Sequence, residues 1–69
     1  MKTFSHPTIT ILIPVFNEER FVLATLESVA RQSHSDFLAV IGDNHSTDRT
    51  GTICQDFCAH DDRFCYVCY

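Results

Sequence analysis

Two short segments carry the residues whose types and spacing could do chemistry. In Ile11-Leu12-Ile13-Pro14-Val15-Phe16-Asn17-Glu18-Glu19 an apolar run stops at an amide and two carboxylates. In Ile41-Gly42-Asp43-Asn44-His45-Ser46-Thr47-Asp48 a second run stops at a carboxylate and an amide. Each stop stands just before a helical pattern, so two strand ends deliver carboxylates to the same rim of a sheet. An ionised carboxylate only accepts hydrogen bonds, whereas the Asn44 side chain both donates and accepts. Such a rim suits neutral donors such as ribose hydroxyls or the N–H of a pyrimidine base. A dinucleotide-binding turn would place glycines after the first strand, so that a pyrophosphate could lie against the helix N-terminus. Here that stretch has no glycine and two acids, which would repel a diphosphate. The base and ribose end of a nucleotide therefore fits the crevice, with the phosphates pointing elsewhere and neutralised by a metal on other carboxylates.

The elements that must position these residues alternate. Residues 8–14 read as a first strand, apolar on both faces as a parallel strand buried on two sides would be. Asn17 is placed to cap the following helix, with Glu18 and Glu19 in its first turn, where the helix dipole favours negative charge. That helix sets Val22, Leu26, Val29 and Ala30 on one stripe and ends near Gln32 and Ser33. Residues 37–42 form a second strand, again apolar on both faces. Ser46 or Thr47 can cap a second helix over 48–59, with Ile53, Cys54, Phe57 and Cys58 facing inward. The aromatic and β-branched run 64–69 predicts a third strand. Strand, helix, strand, helix, strand with short, right-handed connections is an α/β pattern. Laid in the order three, two, one, such a sheet has both helices on one face and leaves the other bare. Strands apolar on both sides instead expect a second layer and a fourth strand beside the first, so the chain reads as the front of a larger α/β domain.

Length and charge narrow the function classes. A chain of 69 residues is at most one small domain, one that buries about 60% of its unfolded surface. The formal net charge is -4 and the five Lys and Arg are scattered singly, which disfavours nucleic acid as a partner. The apolar runs fall far short of the roughly 20 residues of a membrane helix. Met1 and Lys2 open an N-terminal stretch that Ser5, His6 and Pro7 interrupt, so a signal peptide is not expected, and residues 1–7 read as a loose lead-in.

Taken together, Thr10-Ile11-Leu12-Ile13-Pro14-Val15-Phe16-Asn17-Glu18-Glu19, Leu26-Glu27-Ser28-Val29, Gln32-Ser33, Asp43-Asn44-His45-Ser46-Thr47-Asp48-Arg49-Thr50 and Asp62-Arg63-Phe64 resemble the opening of a family 2 glycosyltransferase with the GT-A fold. The commoner family form at Asn44-His45 is Asp-Gly, and an Asp-Asn variant is also familiar. The resemblance implies a Rossmann-like parallel β-α-β-α-β unit over 8–69, the first half of a GT-A domain. It further implies inverting transfer from a nucleotide-diphosphate sugar, most often a UDP-sugar, to an acceptor hydroxyl. By the same resemblance Pro14, Val15 and Asn17 line the nucleotide pocket, Glu18 reaches toward the nucleotide and Asp43 holds the base. The family's metal-binding Asp-x-Asp motif and catalytic base fall downstream of these residues. Mg or Mn is therefore expected only in a full-length enzyme, and no catalytic or metal-ligating residue is assigned here.

Two other readings compete. One is a non-catalytic remnant or interaction module that associates through an uncovered sheet face. The other is a small zinc module built on Cys54, Cys58, His60, Cys65 and Cys68. Only six residues separate the two cysteine pairs, against roughly 15 to 20 in a zinc ribbon, and Cys54 and Cys58 fit a buried helix stripe. Cys65 and Cys68, three apart on a strand, should face opposite ways. In a cytoplasmic chain all four should be reduced thiols.

Overall fold

A computed structural model describes residues 9–69, so the lead-in read at 1–7 lies outside the described residues. Strand β1 (Ile9–Val15) is followed by helix α1 (Val22–Ala30), strand β2 (Phe37–Asp43), helix α2 (Thr50–His60) and strand β3 (Phe64–Cys68). The three strands form one sheet in the order β1-β2-β3, and both neighbouring pairs are parallel. This is the expected α/β unit, the Rossmann-like start of a GT-A domain.

Register decides which side chains meet. Ile13 lies beside Ile41, Ala39 beside Phe64, and Asp43 beside both Val15 and Cys68. Side chains alternate across a strand, so Ile11, Ile13 and Val15, Phe37, Ala39, Ile41 and Asp43, and Phe64, Tyr66 and Cys68 share one face. Both helices cover that face. Val22 and Leu26 of α1 and Cys54 of α2 are fully buried against Ile13, Val15, Phe37, Ala39, Ile41 and Phe64. Ile53, Phe57 and Cys58 pack at the margin, so the inward stripe expected of the second helix is present.

Aromatic packing closes the end of the sheet away from the rim. Phe64 meets Phe37 and Phe57 edge-to-face, with centroids 5.7 and 4.9 Å apart. The Arg63 guanidinium lies 4.5 Å from the centre of the Phe37 ring. It forks onto Asp61, with Nε donating at 3.0 Å and one terminal nitrogen at 2.7 Å, and that nitrogen also donates to the Ala30 carbonyl at 3.4 Å. The Asp-Arg-Phe tripeptide is thus a packing device that ties the end of α1 to the start of β3.

Two expectations are corrected. The first helix begins at Val22, not beside Asn17, and has neither a side-chain cap nor an acid in its first turn. Asn17 has φ 48, a left-handed conformation that cannot lead directly into a helix, and its side chain is engaged elsewhere. The Glu18 carbonyl instead accepts from the Phe21 and Val22 amides and closes a turn ahead of the helix. The second helix begins at Thr50, and neither Ser46 nor Thr47 caps it. Asp48 does so from outside, its Oδ1 accepting from the Thr50 amide at 2.9 Å. The other face of the sheet is bare, as the order three, two, one with both helices on one side requires: Leu12 is 73% exposed, and Pro14, Cys65 and Val67 share its open face.

The contrast predicts opposite responses on neighbouring strands. Ile41→Ala should cost about 2–5 kcal/mol in urea unfolding, whereas Leu12→Ala, already in water, should cost under about 1 kcal/mol.

Candidate functional site

Two loops leave the C-terminal ends of β1 and β2 side by side, and they are laced together rather than merely adjacent. The Asn44 amide donates to the Val15 carbonyl at 3.0 Å, carrying the sheet register one residue further. The Asn17 amide donates to Ser46 Oγ at 2.8 Å. In return Asn17 Oδ1 accepts from the Thr47 amide at 2.8 Å and the Asp48 amide at 3.3 Å. The Glu18 amide donates to Thr50 Oγ1 at 2.7 Å and the Glu19 amide to Asp48 Oδ2 at 3.2 Å, while Glu19 Oε1 accepts from the Arg49 amide at 3.2 Å. Asn17 and His45 each stand two residues past their strand end, and both have positive φ, 48 and 58. Asn, Asp and His tolerate that conformation best among residues with a side chain. Each loop thus reverses at the same level of the sheet.

Asp43 is the centre of this lacing. It is 1% exposed. Oδ1 accepts from both the Ser46 amide at 2.9 Å and the Ser46 hydroxyl at 2.6 Å. Oδ2 accepts from the Tyr66 hydroxyl at 2.5 Å. Burial alone pushes the carboxyl up. The hydrogen bonds from the Ser46 hydroxyl, Tyr66 and the Ser46 amide outweigh it and hold Asp43 below its ordinary 3.8. The same contact raises the Tyr66 phenol well above its usual value: the hydrogen bond to Asp43 keeps the proton on, and burial and the Asp43 charge add to it. Room for that phenol comes from Gly51 in the first turn of α2. A Cβ there would stand 2.6 Å from the Tyr66 oxygen. Among the described residues no buried side-chain nitrogen or oxygen lacks a partner.

The five residues assigned to a nucleotide pocket do not share one cavity. Asn17, Glu18 and Asp43 meet at the rim, linked through Ser46 and Thr50. The Val15 side chain is in the core, so only its backbone faces the rim, where its carbonyl takes the Asn44 amide. Pro14 opens onto the uncovered face, in a shallow depression of about 290 Å³ with Leu12, Val40, Gly42 and Tyr69. A second depression, of about 310 Å³, is lined by Asn17, Glu18, Glu19, Arg20, Phe21 and Asp48. Ser46, Thr50 and Tyr66 join the site beyond the residues to which the sequence points. The signals were a glycine inside a helix's first turn, which marks a close approach, and a tyrosine in register with the core face of β3. Asn44, by contrast, is exposed.

A divalent cation has no cradle in this stretch: among the described residues no three His, Cys, Asp or Glu side chains converge. The zinc-module reading has no such cluster to rest on. All four cysteines are free thiols.

Comparison with known proteins matches the family profile "Glycosyl transferase family 2" over residues 10–68. The chain belongs to glycosyl transferase family 2. It is 34% identical over 59 residues to the glycosyltransferase GlyA of Streptococcus pneumoniae, a match covering 86% of this chain and 8% of that protein. It is 32% identical over 57 residues to the uncharacterized glycosyltransferase EpsJ of Bacillus subtilis, covering 83% of this chain and 17% of EpsJ. It is 27% identical over 60 residues to a Campylobacter jejuni GalNAc(5)-diNAcBac-PP-undecaprenol beta-1,3-glucosyltransferase, covering 87% and 19%. The chain therefore spans a fifth or less of the length of these relatives. Among the described residues no helix is long and apolar enough to cross a membrane.

The depressed Asp43 carboxyl sets a pH dependence. A carboxyl whose folded value lies below its unfolded one contributes stability above the unfolded value, and that stability is lost as pH falls through the folded one. Acid titration of the folded chain should show stability falling below about pH 4. Asp43→Asn should lose about 1–3 kcal/mol at neutral pH and show a shallower acid slope. Some slope will persist, since the hydrogen bond from Arg63 holds the Asp61 carboxyl low as well.

Proposed function

We propose that this chain is the nucleotide-binding N-terminal part of a family 2 glycosyltransferase domain, receiving the uridine of a UDP-sugar at the rim formed by Asn17, Glu18 and Asp43. The observation that carries the reading is the hydrogen-bonded path from Asn17 through Ser46 to Asp43, which sets both strand-end motifs into one edge. Asp43 then acts by holding Ser46 and the loop in place. The exposed Asn44 carboxamide offers the donor and acceptor pair that complements the N–H and adjacent carbonyl of a pyrimidine base. Pro14 and Val15 form the strand end beneath it, and Glu18 is available to the ribose hydroxyls. The sugar goes to an acceptor hydroxyl with inversion, a reaction that needs a base to take the acceptor proton and a cation on the leaving diphosphate. Those groups belong to the remainder of a longer protein. The four free thiols fit a reducing compartment, and we place the domain in the cytoplasm.

Titrating UDP into the purified chain while recording amide NMR spectra tests the binding site. Shifts should concentrate at Asn17, Glu18 and residues 43–46, and Asn44→Ala should weaken binding about 2- to 10-fold, as one lost hydrogen bond would. A well-dispersed spectrum that does not respond to millimolar UDP would reject the site.

The same proposal assigns residues 8–69 to a domain whose further layers cover the open sheet face. Leu12, 73% exposed, and Tyr69, 66% exposed, leave that face apolar when the chain stands alone. Sedimentation velocity should show concentration-dependent self-association that Leu12→Lys abolishes; a monomer at all concentrations would count against the covered-face assignment.

A further inference from the structure

Cys68 differs from the other three thiols in its surroundings. It is exposed at the end of β3, in register with Asp43, and its Sγ lies 3.9 Å from His45 Nδ1. The imidazole is brought there by the left-handed backbone of His45, which turns the β2 loop back toward the tip of β3. The Tyr69 amide, donating to the Asp43 carbonyl at 3.0 Å, pins the next residue of β3 to β2 and so fixes the thiol's position. Cys68 also interacts with the Tyr66 hydroxyl, which donates to Asp43.

The remaining cysteines serve as internal comparisons. Cys54 is wholly buried, and burial pushes its thiol up to about 11, with Cys58, Asp43 and Glu18 adding to the rise. Cys58 is raised as well, mainly by burial. Cys65 is exposed too, but it is in register with Val40 on the uncovered face.

We propose that Cys68 and His45 form a reactive thiol–imidazole pair, a covalent modification site for small disulfides at the edge of the sheet. The thiolate is the attacking species in thiol–disulfide exchange, and an ordinary thiol at neutral pH is only a few per cent thiolate. His45 Nδ1, in its acceptor tautomer, takes the Cys68 proton. The thiolate attacks one sulfur of the incoming disulfide, an S–S bond to Cys68 forms, and the disulfide's own S–S bond breaks. The departing thiolate takes the proton from the imidazolium and leaves as a free thiol, so no external oxidant is required. This chemistry does not depend on whether the rim binds a nucleotide.

The test uses oxidised glutathione on the full chain, with the mixed disulfide located by peptide mass mapping over time. In the native protein Cys68 should be modified about tenfold or more faster than Cys65, with Cys54 and Cys58 protected. In denaturant the Cys68 and Cys65 rates should converge. His45→Asn keeps a residue that tolerates the left-handed backbone but supplies no base, and it should bring Cys68 down to the Cys65 rate. His45→Gly, which relieves the backbone altogether, should do the same and guards against an effect of misfolding. Equal native rates at Cys65 and Cys68, or a rate ratio unchanged in both His45 variants, would overturn the proposal.

Discussion

A single buried carboxylate organises the rim of this molecule. Asp43 sits at the end of the central strand, and its oxygens accept from the Ser46 amide, the Ser46 hydroxyl and the Tyr66 hydroxyl. An ionised group this enclosed is tolerated only because its lone pairs are answered, since an unpaired buried charge is among the costliest defects in a fold. Its partners come from different places: Ser46 from the β2 loop and Tyr66 from β3. Through Ser46 the constraint passes to Asn17 and hence to the β1 loop. One residue thus ties both strand-end loops to the middle of β3, and the small Gly51 of α2 leaves space for the Tyr66 hydroxyl.

That arrangement accounts for why the two polar motifs belong together. Asn17 answers backbone donors of Thr47 and Asp48, while Asp48 and Thr50 answer those of Glu19 and Glu18. Each loop supplies the hydrogen-bond partners that the other lacks, as exposed loop backbone near a sheet edge requires. The motif residues therefore first build a laced edge, with Asn44 left exposed on it.

The sheet itself is one-sided. Both helices lie over Ile13, Ile41 and Phe64, and the aromatic contacts of Phe64 with Phe37 and Phe57 supply much of the depth of that core. On the other side Leu12, Pro14 and Val67 meet water. Three strands with two helices give a small apolar core for 69 residues, so stability rests on few contacts and each buried side chain counts heavily.

The strand–helix alternation, the inward stripe of Val22, Leu26, Cys54 and Phe57 and the meeting of two acidic strand ends were legible in the sequence, because periodicity and strand-end chemistry are local properties. Helix starts were not: Asn17 and Ser46 look like caps by type, but Ser46 turns back onto Asp43 and the Asn17 side chain finds its partners about thirty residues away, where a hydrogen bond leaves no local pattern. The bare face of the sheet was legible as well, because right-handed connections in that strand order put both helices on one side. The sequence by itself determined the class of fold, the family and the residues at the rim. Tertiary structure alone decided that Asp43 is enclosed while Asn44 is open, and that Cys68 stands beside His45, because those relations depend on strand register and on the space that Gly51 leaves for Tyr66.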